Sequence, residues 1–384
     1  MIAPLWQLGF RPFFLLGSLA GALLVGAWLG VQAGAFAPGG ALSPQVWHGH
    51  EMVFGFATAI VAGFVLTASQ NWSGVRGAHG RPLLALVAVW LAARVLLLTP
   101  APLALVAAVD LAFLPLVWVA LWPCLRDPEL RLELFAFTAF FGVLLGANAM
   151  VHAEALELTA GTAVRGLYLG VHAIVLVIVF IGGRVIPFFT ESSIARNQPR
   201  TWPWCERASH GTAWAFVVAQ LVAPQHPVTA AFAFAAAGVH LVRLSGWQVR
   251  RVRRVPLLWV LHLAYLWLVV GFALSGLAAL RLVPPSQALH AFTVGGIGAA
   301  IHGMIARVSL GHTGRRLHPS AWTAVGFALI HLAAAVRVVP PLLRSDLALP
   351  AIHASGALWL AAYGLFLAVH APMLLAARVD GKPG

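Results

Sequence analysis

Twelve apolar runs of about 17–25 residues follow one another through this chain, each long enough to cross the ~30 Å hydrocarbon core of a bilayer as a helix. Their approximate limits are 11–33, 47–70, 82–99, 102–123, 132–151, 163–187, 208–224, 228–246, 256–280, 286–309, 319–338 and 349–376. Lipid offers no partner to a backbone N–H or C=O, so spanning segments are helices or closed barrels, and runs of this length are helices. With 61% hydrophobic and 9% charged residues, the chain lies far from soluble domains, in which about a quarter of residues are charged. The expected fold is an all-α polytopic membrane protein of about twelve transmembrane helices, a single transmembrane domain over residues 1–384. Arg11-Pro12 leads into the first run, and no signal-peptide cleavage pattern follows it, so it reads as a retained helix.

Charge sets the orientation. Twelve spans put both termini on one side. That side carries Arg76, Arg81, Arg126, Arg131, Arg184, Arg196, Arg200, Arg207, Arg243, Arg250, Arg251, Arg253, Arg254, Arg307, Arg315 and Arg316, besides Arg11, Arg378 and Lys382. The other side has only Arg165, Arg281, Arg337 and Arg344, while Arg94 falls inside the third span. The positive-inside rule therefore expects cytoplasmic termini in a bacterial inner membrane. A net charge of +13 and the Arg250-Arg251-Val252-Arg253-Arg254 run do not imply nucleic acid, because juxtamembrane basic clusters serve orientation and anionic lipid. Cys124 and Cys205 map to the reducing side, and tryptophans such as Trp47, Trp72, Trp122 and Trp322 sit at span ends as interfacial anchors.

Histidine placement carries the functional signal. Trp47-His48-Gly49-His50-Glu51-Met52 opens the second run, where ionisable groups are costly. His48 and His50, two residues apart, point about 200° from one another on a helix, so they suit two neighbours and not one shared ion. His50, His172 and His290 recur at spacings of 122 and 118 residues, each near the start of an even-numbered span and each followed by small residues. The spacing predicts three four-helix pseudo-repeats, about 1–125, 126–245 and 246–384, whose small-residue faces line the interior. Helix direction places His48, His50, His172, His290, His331, His152 and His353 in the outer half of the bilayer. A haem needs axial ligands from opposed helices at matched depth, and several histidines at one depth suit it. A proton relay would call for carboxylates in a line, whereas Glu51, Asp110, Glu154 and Glu191 look scattered. At the inner ends, Pro187 is expected to break or kink the sixth span. Arg184 has a propionate, a lipid phosphate or Glu191 as potential partners, and glycines in Arg307–Arg315 allow a turn that aims His312 back at the protein.

Phe10-Arg11-Pro12-Phe13-Phe14, Trp47-His48-Gly49-His50-Glu51-Met52, Gly183–Glu191, Leu289-His290-Ala291, Arg307–Arg315 and the closing Arg378–Gly384 together resemble the NnrS family. The resemblance spans the chain in order and implies a haem- and copper-containing inner-membrane protein tied to denitrification, nitric oxide and nitrosative stress. It implies that His48, His50, His172, His262, His290 and His312 are the histidines to watch. A looser architectural similarity, to the haem-copper oxidase and nitric-oxide reductase superfamily, implies a haem b, or two, held by His48, His50 and His172; Arg184 and Arg307, in the motifs that end spans six and ten, are the expected cofactor-binding arginines. It also implies copper at His290 and His331, although the superfamily's adjacent His-His dyad is missing. Nitric oxide or a nitrosylated species is then the expected partner, reduced with electrons from an unknown donor. A transporter of metals or nitrosylated complexes, and a haem-based sensor without turnover, are the alternatives.

Overall fold

A computed structural model describes residues 3–40, 42–194 and 198–382; Arg196, Pro383 and Gly384 lie outside them. Among the described residues the chain is helical and contains no strand. Each expected run corresponds to one long helix. These are α1 (Phe10–Gln32), α2 (Pro44–Ser73), α3 (Arg81–Leu96), α4 (Leu103–Leu125), α5 (Arg131–Ala155) and α6 (Ala163–Ser193). They are followed by α7 (Pro203–Val222), α8 (Pro227–Ser245), α9 (Pro256–Ala279), α10 (Pro285–His312), α11 (Ala321–Leu343) and α12 (Ala348–Leu375). Ten of them are long and apolar enough to cross a membrane; α3, at 16 residues, and α7, with Glu206 and Arg207 in its first turns, are the exceptions. The chain is an all-α polytopic membrane protein.

Local chemistry sets the ends. Proline, whose missing N–H costs nothing in a first turn, opens α2, α7, α8, α9 and α10. Ser43 and Ser320 accept from Val46 N and Thr323 N at the starts of α2 and α11. Gly74, at φ 68°, ends α2 in the left-handed conformation. Pro187 does not end α6, which continues to Ser193; a proline inside a spanning helix is tolerated where neighbours satisfy the freed carbonyl.

Two compact units emerge. The first holds residues 1–170, 308–317 and 366–384; the second holds 171–307 and 318–365. In the first, α2 packs on α1 and α4, and α4 packs on α3 and α5. A Cβ on Gly63 would stand 2.7 Å from Phe13 Cβ, so this glycine is what lets α1 and α2 approach. In the second, α9 packs on α8, α10 and α11.

Two helices share an unusual turn. Directly after His50, α2 widens into a π-helical stretch, Glu51–Ala57, and directly after His290, α10 does the same over Ala291–Gly298. α6, their counterpart by spacing, is α-helical across Ala163–Ser193. π-Stretches shift the side chains that follow them by a fraction of a turn and concentrate at functional sites.

Candidate metal site

Where α2 passes from α- to π-helical winding, the first unit buries a polar cluster drawn from four helices. His50 comes from the last α-turn before the π-stretch and Glu51 from its first residue. Arg94 closes α3, Asp110 lies two turns into α4, and Asn148 and His152 share one face of α5 at i, i+4. All six are buried.

Asp110 is the hub. Its Oδ2 accepts from Asn148 Nδ2 at 2.7 Å and faces His152 Nε2 at 2.9 Å and His50 Nε2 at 3.1 Å. Arg94 bridges Asp110 and Glu51 by donating one side of its fork to each carboxylate. It reaches them across a glycine: a Cβ on Gly55 would lie 2.8 Å from Arg94 Nη1. The two carboxylates, scattered in sequence, are therefore neighbours in space, which corrects the expectation drawn from their spacing.

The environment of His50 is one-sided. Its Nδ1 faces Glu51 Oε1 at 3.2 Å, and its Nε2 faces both Asp110 Oδ2 and, at 2.9 Å, Asn148 Oδ1. Neutral imidazole carries only one N–H, yet both nitrogens look at acceptors. Two carboxylates share one guanidinium, leaving one negative charge that must be balanced in this buried place. An imidazolium, a protonated carboxyl or a bound metal ion each meets that demand.

The donor set fits a metal. One ligand atom each from His50, Asp110 and His152 lies within 4.8 Å of the others. Metal–ligand bonds of ~2.0–2.2 Å put neighbouring donors of a tetrahedral site about 3.3 Å apart, close to the 2.9 and 3.1 Å seen from Asp110 Oδ2 to the imidazoles. Two imidazoles and a carboxylate suit copper, zinc or iron more than calcium or magnesium. Asn148, Glu51 and Arg94 orient the three as outer partners do in metal proteins. A small cavity lined by Leu96, Leu97, Leu103, Val106 and Ala155 borders His152.

The other expected site residues are dispersed. His48 turns away from the cluster and stacks on Trp28 of α1 at 4.5 Å, as the opposed directions of the pair require. His312 ends α10 and packs against Phe10 at 5.6 Å, turned inward beside Gly314 at φ 76°. The remainder belong to the second unit. His172 sits edge-on to Phe216 and Phe292 at 5.2 and 5.7 Å. His262 bonds the carbonyls of Leu258 and Trp247, His290 that of Ser286, and His331 that of Val260. Arg184 lies over Phe180 at 4.3 Å and Arg307 over Phe189 at 3.6 Å.

The family model described as NnrS protein matches residues 4–378. The chain belongs to the NnrS family. Its match takes in every helix that supplies the cluster and ties the chain to membrane proteins of the nitric oxide response. No curated protein matches the chain.

The sequence reading missed Arg94, Asn148 and the hub role of Asp110 in this NnrS protein, although a lone aspartate in Leu103–Leu125 and an arginine deep inside Arg81–Leu96, at Arg94, are themselves signals. It also missed a second buried cluster. Arg243, near the end of α8, pairs with Glu206 and donates Nη1 to Val179 O at 2.8 Å and to the Tyr265 hydroxyl at 2.9 Å. That hydroxyl also meets His240 Nδ1 at 2.6 Å. Counted in sequence among the surface charges that orient the chain, Arg243, Arg11 and Arg307 are buried.

Proposed function

We propose that the His50–Asp110–His152 centre binds a redox-active first-row metal, copper foremost, and that the protein uses it to reduce nitric oxide or a nitrosylated species. The observation that carries this is the convergence of two buried imidazoles and a carboxylate on one point, with a negative charge unbalanced. Membership of the NnrS family supports nitric oxide as the substrate. The metal would supply an open coordination position and one-electron chemistry. Haem b, the second cofactor implied by the resemblance, would be held by His48 or His172.

The chain's own residues do the rest. Asp110 fixes both imidazoles through one oxygen, and Arg94 holds Asp110 and Glu51 in place by donating to both carboxylates. Glu51, against His50 Nδ1, would take up and pass on a proton to product oxygen. Two NO, two electrons and two protons give N2O and water, with the electrons coming from an external one-electron donor. Nitric oxide is small and apolar enough to arrive through lipid and the cavity beside His152. The excess of basic residues on the side of both termini supports an inner-membrane protein with cytoplasmic ends, and so a centre in the periplasmic half.

Metal analysis and absorption spectra of the purified full chain test this reading. Stoichiometric copper that disappears in His152→Ala, together with NO consumption from an artificial donor, is the expected result. Copper-free protein, or equal copper in wild type and His152→Ala, overturns the centre. Bound metal with no NO turnover under any donor leaves sensing or storage. Absence of a Soret band removes haem.

A further inference from the structure

Three segments that carry the family pattern meet in the first unit, away from the metal cluster. They are the start of α1, the turn after α10 and the chain that follows α12. Arg11 is the centre of this corner and is fully buried. Its Nη1 donates to Leu374 O at 2.9 Å and Ala376 O at 2.6 Å, carbonyls in the turn where α12 ends and which no helical N–H reaches. Its Nε and Nη2 are buried with no hydrogen-bond partner, and so is Arg315 Nη1.

The charges do not balance either. Arg378 and Arg315 both bear electrostatically on Arg11. Arg378 is already engaged, donating Nε and Nη2 to the Asp380 carboxylate at 2.9 and 2.6 Å and Nη1 to His312 O at 3.0 Å. Val379 N donates to Thr313 O at 3.1 Å and pins the tail beside the turn. Asp380 is thus the only carboxylate seen against three guanidinium groups among the described residues of this corner. Buried nitrogens on arginine ordinarily find acceptors, and here two arginines keep three buried nitrogens without one.

We propose that this corner binds a phosphate-class oxyanion. A planar carboxylate offers two oxygens to one fork, whereas donors from two separate guanidinium planes suit a tetrahedral group with charge spread over several oxygens. The site sits at helix ends, the depth at which lipid phosphodiesters lie. A lipid headgroup and free phosphate share the chemistry, and the experiment separates them.

The full chain, delipidated in detergent, is titrated with inorganic phosphate and with short-chain phosphatidylglycerol while thermal unfolding is followed. Wild type and the exposed-arginine control Arg165→Gln are expected to show a saturable rise in Tm. Arg315→Gln, which leaves the Arg11 ties to α12 intact, is expected to weaken the ligand at least ~10-fold, as loss of a charge-assisted bond does, and Arg315→Lys to weaken it less. A response to the lipid alone identifies a headgroup site, and a response to both or to phosphate alone a small-anion site. No saturable response in wild type, or one unchanged in Arg315→Gln, overturns the proposal. Native mass spectrometry supplies a second readout: wild type retains phospholipid and Arg315→Gln does not if the source is lipid.

Discussion

The two polar clusters use similar residue types and differ in whether their charges balance. Around Arg243 the charge is closed: one guanidinium answers one carboxylate, Glu206, and spends its remaining donors on a carbonyl and a tyrosine hydroxyl. Around Asp110 it is open: two carboxylates share Arg94, and an imidazole faces acceptors on both sides. A closed cluster locks helices together and needs nothing further. An open one in the same apolar surroundings is affordable only if something cationic completes it. The balance of charge, more than the presence of histidine, separates a candidate centre from a structural joint.

Four changes would break or sharpen that contrast. Asp110→Asn removes the hub of the open cluster and is expected to lower metal affinity by more than about 100-fold, since loss of an outer partner alone costs 10–100-fold; metal content of purified protein measures it. Arg243→Met is expected to leave metal content untouched and to destabilise by about 3 kcal/mol, because it strands Glu206 and the carbonyl of Val179. Denaturation in detergent reads the second effect, and equal metal loss in both variants would erase the distinction. Gly183→Ala should act like a milder Arg243 change, of roughly 1–3 kcal/mol, since the new Cβ would fall within the guanidinium that Glu206, Val179 and Tyr265 pin.

The smallest effect concerns the tail. The Arg378 guanidinium holds the Asp380 carboxyl down to about 2, against 3.8 ordinarily. A depressed carboxyl stabilises its contact fully above the unfolded value and loses that contribution as pH falls through the folded one. Tail docking, followed by limited proteolysis, should therefore hold above pH 4 and weaken only as pH approaches 2. Asp380→Asn should abolish that dependence and leave the metal centre unaffected.

The helices were readable because lipid imposes one rule on every residue of a span. Run length and apolar composition placed all twelve, including the weakest, Arg81–Leu96 and Pro203–Val222. The end of α6 was misjudged because proline's cost in a helix depends on whether neighbours fill the freed carbonyl, which lies outside the local sequence. His50 was legible as an anomaly, an ionisable group at the mouth of an apolar helix. His152 entered only as one more histidine at the same depth.

The sequence by itself determined the fold class, the helix order, the family and the opposed directions of His48 and His50, since each follows from hydropathy, helical periodicity or a linear motif. Only the tertiary structure decided that Glu51, Arg94, Asp110, Asn148 and His152 surround His50, and that Arg11 meets Arg315 and Arg378. Those meetings join residues up to 102 positions apart in the first case, from His50 to His152, and more than 360 in the second. Depth along a helix is written in the chain, but the face a side chain turns to its neighbours is fixed by how helices pack, and charge balance is settled only there.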